Sequence, residues 1–340
     1  MNVQRFEQIT KRYPALRIAL VGDFCLDRYL EIDPRRKEKS IETGLAVHNV
    51  VRVRSQPGAA GTILNNLVAL DVGEIHVVGF SGKDGEGYEL RRALVSLKGV
   101  NTAGFIETSL RQTFTYTKPL VLAANRPPRE LSRLDQKNWT RTPLALQQEI
   151  AAVVRWLAGK VDAMVLMDQV DLAETGVITR RVLEAVRIAA AKNPKLLVLA
   201  DSRRTLRDFP PVVLKMNRAE LSRLSCNVPL RTLSAIRTTA AKLARSHGKP
   251  CFVTLAERGI IGALPDGTVE HLPALLTRGK IDVVGAGDAV SANLTAAFAA
   301  GATLLESLEL ANAAASIVVH QLGTTGSASV PQLRKLLRAK

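Results

Sequence analysis

The chain has 340 residues, 46% of them hydrophobic and only 4% aromatic, which suits one large α/β domain spanning 1–340 with a mostly aliphatic core. No stretch predicts a membrane span, residues 1–14 carry no secretion-signal core, and three scattered cysteines indicate reduced thiols in a cytoplasmic protein. The net charge of +16 fits a basic surface or attraction of anionic substrates, and the scarcity of aromatics near the basic clusters argues against a nucleic-acid partner.

Apolar strands alternate with helices along most of the chain. A buried first strand is predicted over Arg17–Val21, ending at Gly22 and Asp23. Further strands are predicted over Ile75–Phe80, Ala163–Met167, Leu196–Ala200, Val212–Met216 and Cys251–Leu255, and helices over Leu144–Ala158, Thr175–Ala191 and Leu233–Ser246. This alternation predicts a mainly parallel sheet in three layers, with right-handed crossovers.

Two segments interrupt the rhythm and are rich in β-branched residues. The first covers about 28–55 and the second about 111–124. We expect the two excursions to pair into a small β lid over the site.

Polar residues follow the first strand and open the first long helix. Asp27 lies just past the strand end, where open α/β sheets bind ligands. An equally good interpretation is an ordinary loop aspartate whose carboxylate is hydrogen-bonded to the backbone. Gly58, Ala59 and their small neighbours leave room for a ligand at a helix start, and Thr62 or Asn66 can bond hydroxyls. The alternative for this segment is close packing of helix on sheet.

An amide and a carboxylate lie one helical turn apart after the strand Val212–Met216. Asn217 and Glu220 can hold Mg²⁺ through waters, because Mg²⁺ keeps much of its hydration shell. They also form a capping-box pattern for a helix over Arg218–Leu224, which is the stronger local interpretation. Both can hold at once.

The segment from Gly285 to Asp288 leads into an apolar helix predicted over Ala289–Ala300. Glycines let the backbone approach a ligand, and the free N–H groups of a helix start bind anions. Asp288 beside such an anion suits a base that takes a proton from a hydroxyl attacking a phosphate. The alternative is an ordinary helix cap with two turn glycines.

Five motifs occur in one order along the chain. Residues 22–27 match G-D-x-x-L-D, Gly58 opens a glycine-rich segment, and residues 79–87 approximate G-x-x-G-x-D-x-x-G. Asn217 to Glu220 match N-x-x-E, and residues 282–288 match D-T-x-G-A-G-D except at its second position. Together these motifs resemble the ribokinase or PfkB family of carbohydrate kinases over nearly the whole chain.

Within that family the chain is most similar to the heptose-7-phosphate kinase group, the kinase domain of ADP-heptose synthases. The segments that carry this similarity are residues 22–29, 133–135, 311–315 and 322–324. Some positions depart from the pattern: Ala59 and Ala256 replace glycines, Thr62 replaces an asparagine, and the lysine of a D-Y-x-K-G segment is absent at Asp171. These departures affect the expected identity of the sugar more than the expected phosphoryl transfer.

The resemblance implies a three-layer α/β/α ribokinase-like fold with a small β lid, and ATP-dependent phosphorylation of a sugar or sugar phosphate. It implies that Asp288 is the general base and that Gly285, Ala286 and Gly287 form the anion hole. The nucleotide side would use Asn217, Glu220, Thr254, Gly259, Asp282 and Asn312, with Mg²⁺ at the first two. The substrate side would use Asp27, Gly58, Ala59, Asn66, Lys118 and Arg203.

The remaining implications concern partners and rival functions. Small molecules, namely ATP and the sugar, are the expected partners, and the resemblance allows a monovalent cation such as K⁺ and a homodimer through the lid. The rivals are another PfkB-type kinase, acting on a fructose phosphate or a nucleoside, and a non-catalytic regulatory or binding protein on the same fold.

Overall fold

The structure, a computed structural model, describes residues 1–123, 126–277 and 279–338, with the backbone alone at 126 and 127. The helices of these ranges are α1 (Val3–Thr10), α2 (Ala60–Ala69), α3 (Gly85–Val95), α4 (Leu144–Leu157), α5 (Arg180–Lys192), α6 (Arg218–Leu224), α7 (Leu233–His247), α8 (Ala286–Ala299), α9 (Leu304–Val318) and α10 (Val330–Arg338). The strands are β1 (Arg17–Gly22), β2 (Phe24–Lys39), β3 (Ala46–Ala59), β4 (Glu74–Gly82), β5 (Val100–Asn101), β6 (Phe105–Thr108), β7 (Thr115–Ala123), β8 (Arg126–Glu130), β9 (Leu134–Gln136), β10 (Ala163–Asp168), β11 (Leu197–Ser202), β12 (Val213–Asn217), β13 (Cys251–Thr254), β14 (Ile260–Ala263) and β15 (Val269–Leu272).

The main sheet has the strand order β15-β14-β13-β12-β11-β10-β1-β4-β5, and β6 also pairs with β4. The strands from β13 through β4 run parallel, whereas β14 and β15 form an antiparallel edge. Because the central strands are parallel, their carboxyl ends meet at one edge. That edge brings together residues far apart in sequence, including Asp168, Asp201 and Asn217.

Helices cover both faces of this sheet, and strand alternation divides the core in two. Ile18 and Leu20 of β1 face the side covered by α1, α2, α8, α9 and α10. Their neighbours Ala19 and Val21 face the side covered by α4, α5 and α7. The expected three-layer α/β/α fold is therefore confirmed.

A second sheet forms the lid, with the order β3-β2-β7-β8 and with β9 also on β7. The strand β2 pairs antiparallel with β3 and parallel with β7, in the register Asp27 to Tyr116 and Tyr29 to Lys118. The two excursions thus pair as the sequence predicts, although position 124 of the second lies outside the described residues. This pairing places Asp27 and Lys118 on adjacent strands.

One helix boundary differs from the sequence prediction for a tertiary reason. The helix predicted from Thr175 begins at Arg180, where Thr179 caps it. The Asp23 carboxylate accepts a hydrogen bond from the Val177 N–H at 2.7 Å, and a Cβ on Gly176 would lie 2.4 Å from that carboxylate. The buried Asp23 therefore holds the preceding turn out of the helix. Within the described ranges, no helix has the length and hydropathy to cross a membrane.

Candidate active site

The glycine turn before α8 gives the site its helix N-terminus. Gly285 is the N-cap with φ of +82°, a left-handed conformation that favours glycine, and α8 begins at Ala286. The helix starts three residues before the predicted Ala289, so Asp288 lies inside the first turn. The first N–H groups of α8 have no partners within the helix and form a place for negative charge.

Asp288 has an unusual acidity for an aspartate. Burial raises its pKa to about 7, and the negative charge of Asp201 acts in the same direction, whereas Lys215 and Arg203 oppose the shift. The residue keeps partial solvent exposure at the cleft. A carboxyl with a pKa near neutrality can accept a proton from a hydroxyl and release it again.

The residues that surround Asp288 include a buried ion pair that sequence reasoning missed. Lys215 of β12 donates a hydrogen bond of 2.7 Å to Asp201 of β11, and Ser291 of α8 donates one of 2.9 Å to the same oxygen. The sequence does indicate that Lys215 is unusual, because it is a charged residue inside the apolar run of residues 212–216. Its partner at position 201 could not be inferred from that run.

Asp27 lies in the lid sheet, on strand β2. It is 5% exposed, and burial raises its pKa against the opposing charge of Lys118, whose Nζ lies 3.8 Å from Asp27 Oδ1. Gly58 packs on this carboxylate so closely that a Cβ there would lie 2.6 Å from Asp27 Oδ2. The predicted substrate residues Asp27, Gly58 and Lys118 are thus neighbours.

The start of α2 is strained at the position where the family has glycine. Ala59 is the N-cap of α2 with φ of +53° and ψ of −115°. Asn66, predicted to meet the sugar, is instead fully buried: its amide donates to the carbonyls of Thr62 and Gly326 and accepts from the Ala328 N–H. These hydrogen bonds connect α2 to the segment after α9, so we do not include Asn66 in the proposed substrate site.

Asn217 and Glu220 form the capping box that the sequence predicts. The Glu220 N–H donates to Asn217 Oδ1 at 2.9 Å, and the Asn217 N–H donates to Glu220 Oε2 at 2.7 Å. Burial raises the pKa of Glu220, although the hydrogen bond from the Asn217 N–H opposes this. Both side chains remain at the open carboxyl edge of β12.

The other predicted nucleotide-side residues shape the backbone of one wall. Thr254 pairs in register with Asn217, and Gly259 has φ of +91° where a Cβ would lie 2.0 Å from the Leu272 carbonyl oxygen. Asn312 of α9 donates to the Pro273 carbonyl at 2.7 Å. Asp282 accepts from the Val284 and Gly323 N–H groups, which fixes the loop before Gly285.

Arg203 is the last of the predicted substrate-side residues. It follows β11, its side chain is exposed, and its charge acts on Asp288. The structure therefore groups Asp288, Arg203, Lys215 and Asp201 at the main sheet and α8, and it groups Asp27 with Lys118 on the lid strands β2 and β7.

Comparison with known families identifies the family of this chain. Residues 23–331 match the family described as pfkB family carbohydrate kinase. The chain belongs to the pfkB family of carbohydrate kinases. Membership of this family implies an enzyme that transfers a phosphoryl group to a sugar hydroxyl and uses ATP and a divalent cation.

Curated relatives of this pfkB kinase include longer proteins. The bifunctional protein HldE of Geotalea uraniireducens (strain Rf4) is 31% identical over 330 residues, which is 96% of this chain and 64% of the relative. The bifunctional protein HldE of Trichlorobacter lovleyi is 32% identical over 333 residues, with the same coverage of 96% and 64%. The chain thus spans slightly less than two thirds of the length of these relatives.

Solved structures support the fold of this pfkB kinase. Ribokinase of Arabidopsis thaliana, complexed with ribose and ATP, aligns with a TM-score of 0.67 at 20% identity, covering 95% of this chain and 98% of that one. Phosphofructokinase-2 of Escherichia coli, in complex with substrates and products, aligns with a TM-score of 0.72 at 17% identity, covering 95% and 99%. At these identities the similarity establishes the ribokinase-like fold.

Proposed function

We propose that this pfkB kinase transfers a phosphoryl group from ATP to a hydroxyl of a sugar phosphate of the heptose-7-phosphate type. The observation that carries the proposal is the placement of Asp288 in the first turn of α8, a helix start that has no side-chain cap. The similarity to bifunctional HldE proteins supports the heptose class of acceptor.

The proposed chemistry uses Asp288 and the turn before it. Asp288 accepts the proton of the acceptor hydroxyl as that oxygen attacks the phosphorus. The backbone of Gly285, Ala286 and Gly287 stabilises the negative charge on the equatorial oxygens of the phosphoryl group. A pKa of about 7 supports this role, because half of the carboxyls are then ionised near neutral pH.

The acceptor end of the cleft supports an anionic sugar. Asp27 would bind sugar hydroxyls, with the backbone of Gly58 and Ala59 beside it. The charges of Lys118 and Arg133 both act on Asp27, and each of these cations lies over a lid tyrosine ring. Because Arg133 is also paired with Asp135 at 2.7 Å, we assign the acceptor phosphate to Lys118. Arg203 would meet phosphate oxygens near Asp288.

The nucleotide would lie along the wall built by Thr254, Gly259, Asp282 and Asn312. Gly259 and Asn312 both contact one backbone segment of this wall, residues 272–274. We assign the wall to ATP because Thr254 lies beside Asn217 on the same carboxyl edge.

Asn217 and Glu220 fit a Mg²⁺ that is held through water. Their chemistry, one carboxylate and one amide oxygen at an open strand end, matches the hard oxygen ligands that Mg²⁺ prefers. Within the described ranges, no group of three or more His, Cys, Asp or Glu side chains converges as a direct ligand set. When bound, Mg²⁺ would neutralise phosphate charge, while Asn217 and Glu220 orient its water shell. A rate comparison in K⁺ and Na⁺ salts tests the monovalent cation.

We also propose a homodimer through the lid. The outer part of β3 exposes Val47, Val50, Val51 and Val53, and because Val50 and Val51 are adjacent, apolar groups are exposed on both faces of the hairpin. Light scattering of the wild type and of Val51→Lys tests this. A dimer that dissociates on substitution supports the proposal, and a monomeric wild type contradicts it.

The deciding experiment is an ADP-release screen over sugars and sugar phosphates, followed by Asp288→Asn on the best acceptor. We expect a sugar phosphate to give the highest kcat/KM and the substitution to lower kcat by about 10²-fold or more. The matched control is Asp71→Asn, an exposed aspartate paired with Lys98 on the surface. Near-normal kcat of Asp288→Asn in a folded protein contradicts the base assignment.

A further inference from the structure

A lysine lies inside a buried strand next to the anion hole, and the proposed chemistry does not use it. Lys215 of β12 is 7% exposed and donates to Asp201, which is 6% exposed. Ser291 of α8 donates to the same carboxylate oxygen. A buried ion pair of this kind is a weak stabiliser, because desolvation offsets most of the attraction. Stability alone therefore does not account for the pair.

The pair lies against the first turn of α8. A Cβ on Gly287 would be 3.1 Å from Lys215 Nζ, and Ser291 Oγ, whose single proton is shared with Asp201, lies 3.2 Å from the Gly287 carbonyl oxygen. Ser291 follows Asp288 by three positions, so the two share a face of the helix. The ammonium and the carboxylate are thus fixed beside Asp288 by hydrogen bonds on two sides.

We propose that the buried Lys215–Asp201 pair sets the protonation of Asp288, with Lys215 favouring the ionised carboxylate and Asp201 opposing it. Both are positioning residues: they act through Asp288 and do not touch the reacting atoms. The proposal rests on the assignment of Asp288 as the base. Within the pair, Lys215 partly offsets the rise in the pKa of Asp288 that burial and Asp201 produce together.

The other charges near Asp288 are known from each neighbouring element. Arg203 after β11 favours its ionised form, and Asp27 of β2 opposes it. Glu220 of α6 acts on Lys215, and β10 ends at Asp168. The helix α2 has no ionisable residue, and on α9 Glu306 and Glu309 pair with Arg5 and the N-terminal amine. Lys215 and Asp201 are the members of this set that form a fixed hydrogen-bonded pair on α8.

The experiment is a titration of the Asp288 carboxyl by carbon-13 NMR in the full chain, with its resonance assigned by its loss in Asp288→Asn. We expect Lys215→Met to raise the pKa of Asp288 by about one unit or more and Asp201→Asn to lower it by a similar amount, since a neighbouring charge shifts a carboxyl by about 1–3 units. The pH at which kcat/KM falls on the acid side should move in the same directions. Shifts of equal sign, or none, overturn the proposal.

Two further variants distinguish a change in the pKa of Asp288 from a loss of folding. The double variant Lys215→Met/Asp201→Asn removes both charges, and its Asp288 pKa should lie between those of the single variants. Lys215→Arg keeps the charge and should restore the acid limb that Lys215→Met displaces. If Lys215→Met does not fold, Asp201→Asn and the double variant decide. The proposal is overturned if Asp201→Asn leaves the pKa of Asp288 unchanged. It is also overturned if the pKa of Asp288 is no higher in the double variant than in Asp201→Asn.

The control is Arg5→Met, which breaks an ion pair with Glu306 on α9 and should leave the Asp288 titration unchanged. The NMR titration uses no acceptor, so it judges the pair even if no sugar in the screen is phosphorylated. Conversely, an active Asp288→Asn variant contradicts the base assignment while leaving the measured shifts in place. The two failures are therefore distinguishable.

Discussion

The backbone of Gly58 lies directly against the carboxylate of Asp27. A Cβ at position 58 would be 2.6 Å from Asp27 Oδ2 and 2.9 Å from the sulfur of Cys25. The two residues are diagonal neighbours, because β2 and β3 pair antiparallel with Cys25 opposite Gly58 and Asp27 opposite Gln56. The shape of the acceptor end therefore depends on a hydrogen atom at position 58.

Gly58→Ala should displace Asp27 and impair acceptor binding. We expect kcat/KM for the sugar to fall by about 10-fold or more, mostly through KM, a loss of about 1.4 kcal/mol or more. Steady-state kinetics with varied acceptor measures this. The matched control is Gly85→Ala, where the added Cβ meets nothing within 4 Å. Equal acceptor KM values for the wild type and Gly58→Ala would show that Asp27 does not bind the sugar.

Two alanines lie in glycine-type conformations and should be improved by substitution. Ala59 and Ala256 both have φ of +53°, which strains any residue with a Cβ. We expect Ala59→Gly and Ala256→Gly each to stabilise the protein by up to about 1 kcal/mol, measured by chemical denaturation. Ala60→Gly, one residue along in α2, is the opposite control and should destabilise by about 0.5–1 kcal/mol or more. Destabilisation by both of the first two substitutions would contradict the prediction.

Asn66→Ala should lower stability without changing acceptor KM. The substitution leaves the Gly326 carbonyl and the Ala328 N–H without their partner inside the protein. We expect a loss of about 2 kcal/mol or more in the free energy of unfolding. Asn65→Ala, at the adjacent and more exposed position, should be nearly neutral. An increase in acceptor KM with unchanged stability would instead return Asn66 to the substrate site.

The buried Asp168 should make stability fall as pH rises. Burial raises its pKa from 3.8 to about 7, and the charge of Asp23 adds to this, while Ser202 and Arg204 oppose it. Between these two pH values the folded state holds a proton that the unfolded chain releases, so the raised pKa destabilises the protein increasingly across that window.

Asp168→Asn removes this titration. The difference in unfolding free energy between about pH 4 and about pH 8 should shrink by an amount on the order of a few kcal/mol, measured by denaturation at both values. Asp162→Asn, an aspartate at the opposite end of β10 with an exposed side chain, is the control. An unchanged pH dependence in Asp168→Asn would show that Asp168 is ionised in the folded state.

Local patterns predicted much of the fold and part of the site. Strand and helix periodicity gave the three layers, because each element buries one face and the spacing of its apolar residues records that face. The capping box of Asn217 and Glu220 was also readable, since a cap joins groups only three residues apart. The glycine turn and Asp288 could also be predicted, because they are neighbours in the chain.

Other features depended on distant partners. The helix boundary at Arg180 depends on Asp23, more than 150 residues earlier in the chain, and the placement of Asn66 depends on residues 326 and 328. A side chain that bonds to a distant backbone has no local signature. Sequence reasoning therefore gave Asn66 a place at the substrate that its buried amide bonds do not support.

The sequence by itself determined that this chain is an α/β protein, with a glycine turn and an aspartate at the start of α8 that we propose as anion hole and base. Only the tertiary structure decided how acidic that aspartate is. Lys215, Asp201 and Ser291 come from two parallel strands and a helix, and they meet because the sheet order places β11 beside β12 under α8. The pKa of Asp288 depends on burial and on charges that surround it in space, and neither is encoded in the residues next to it in the chain.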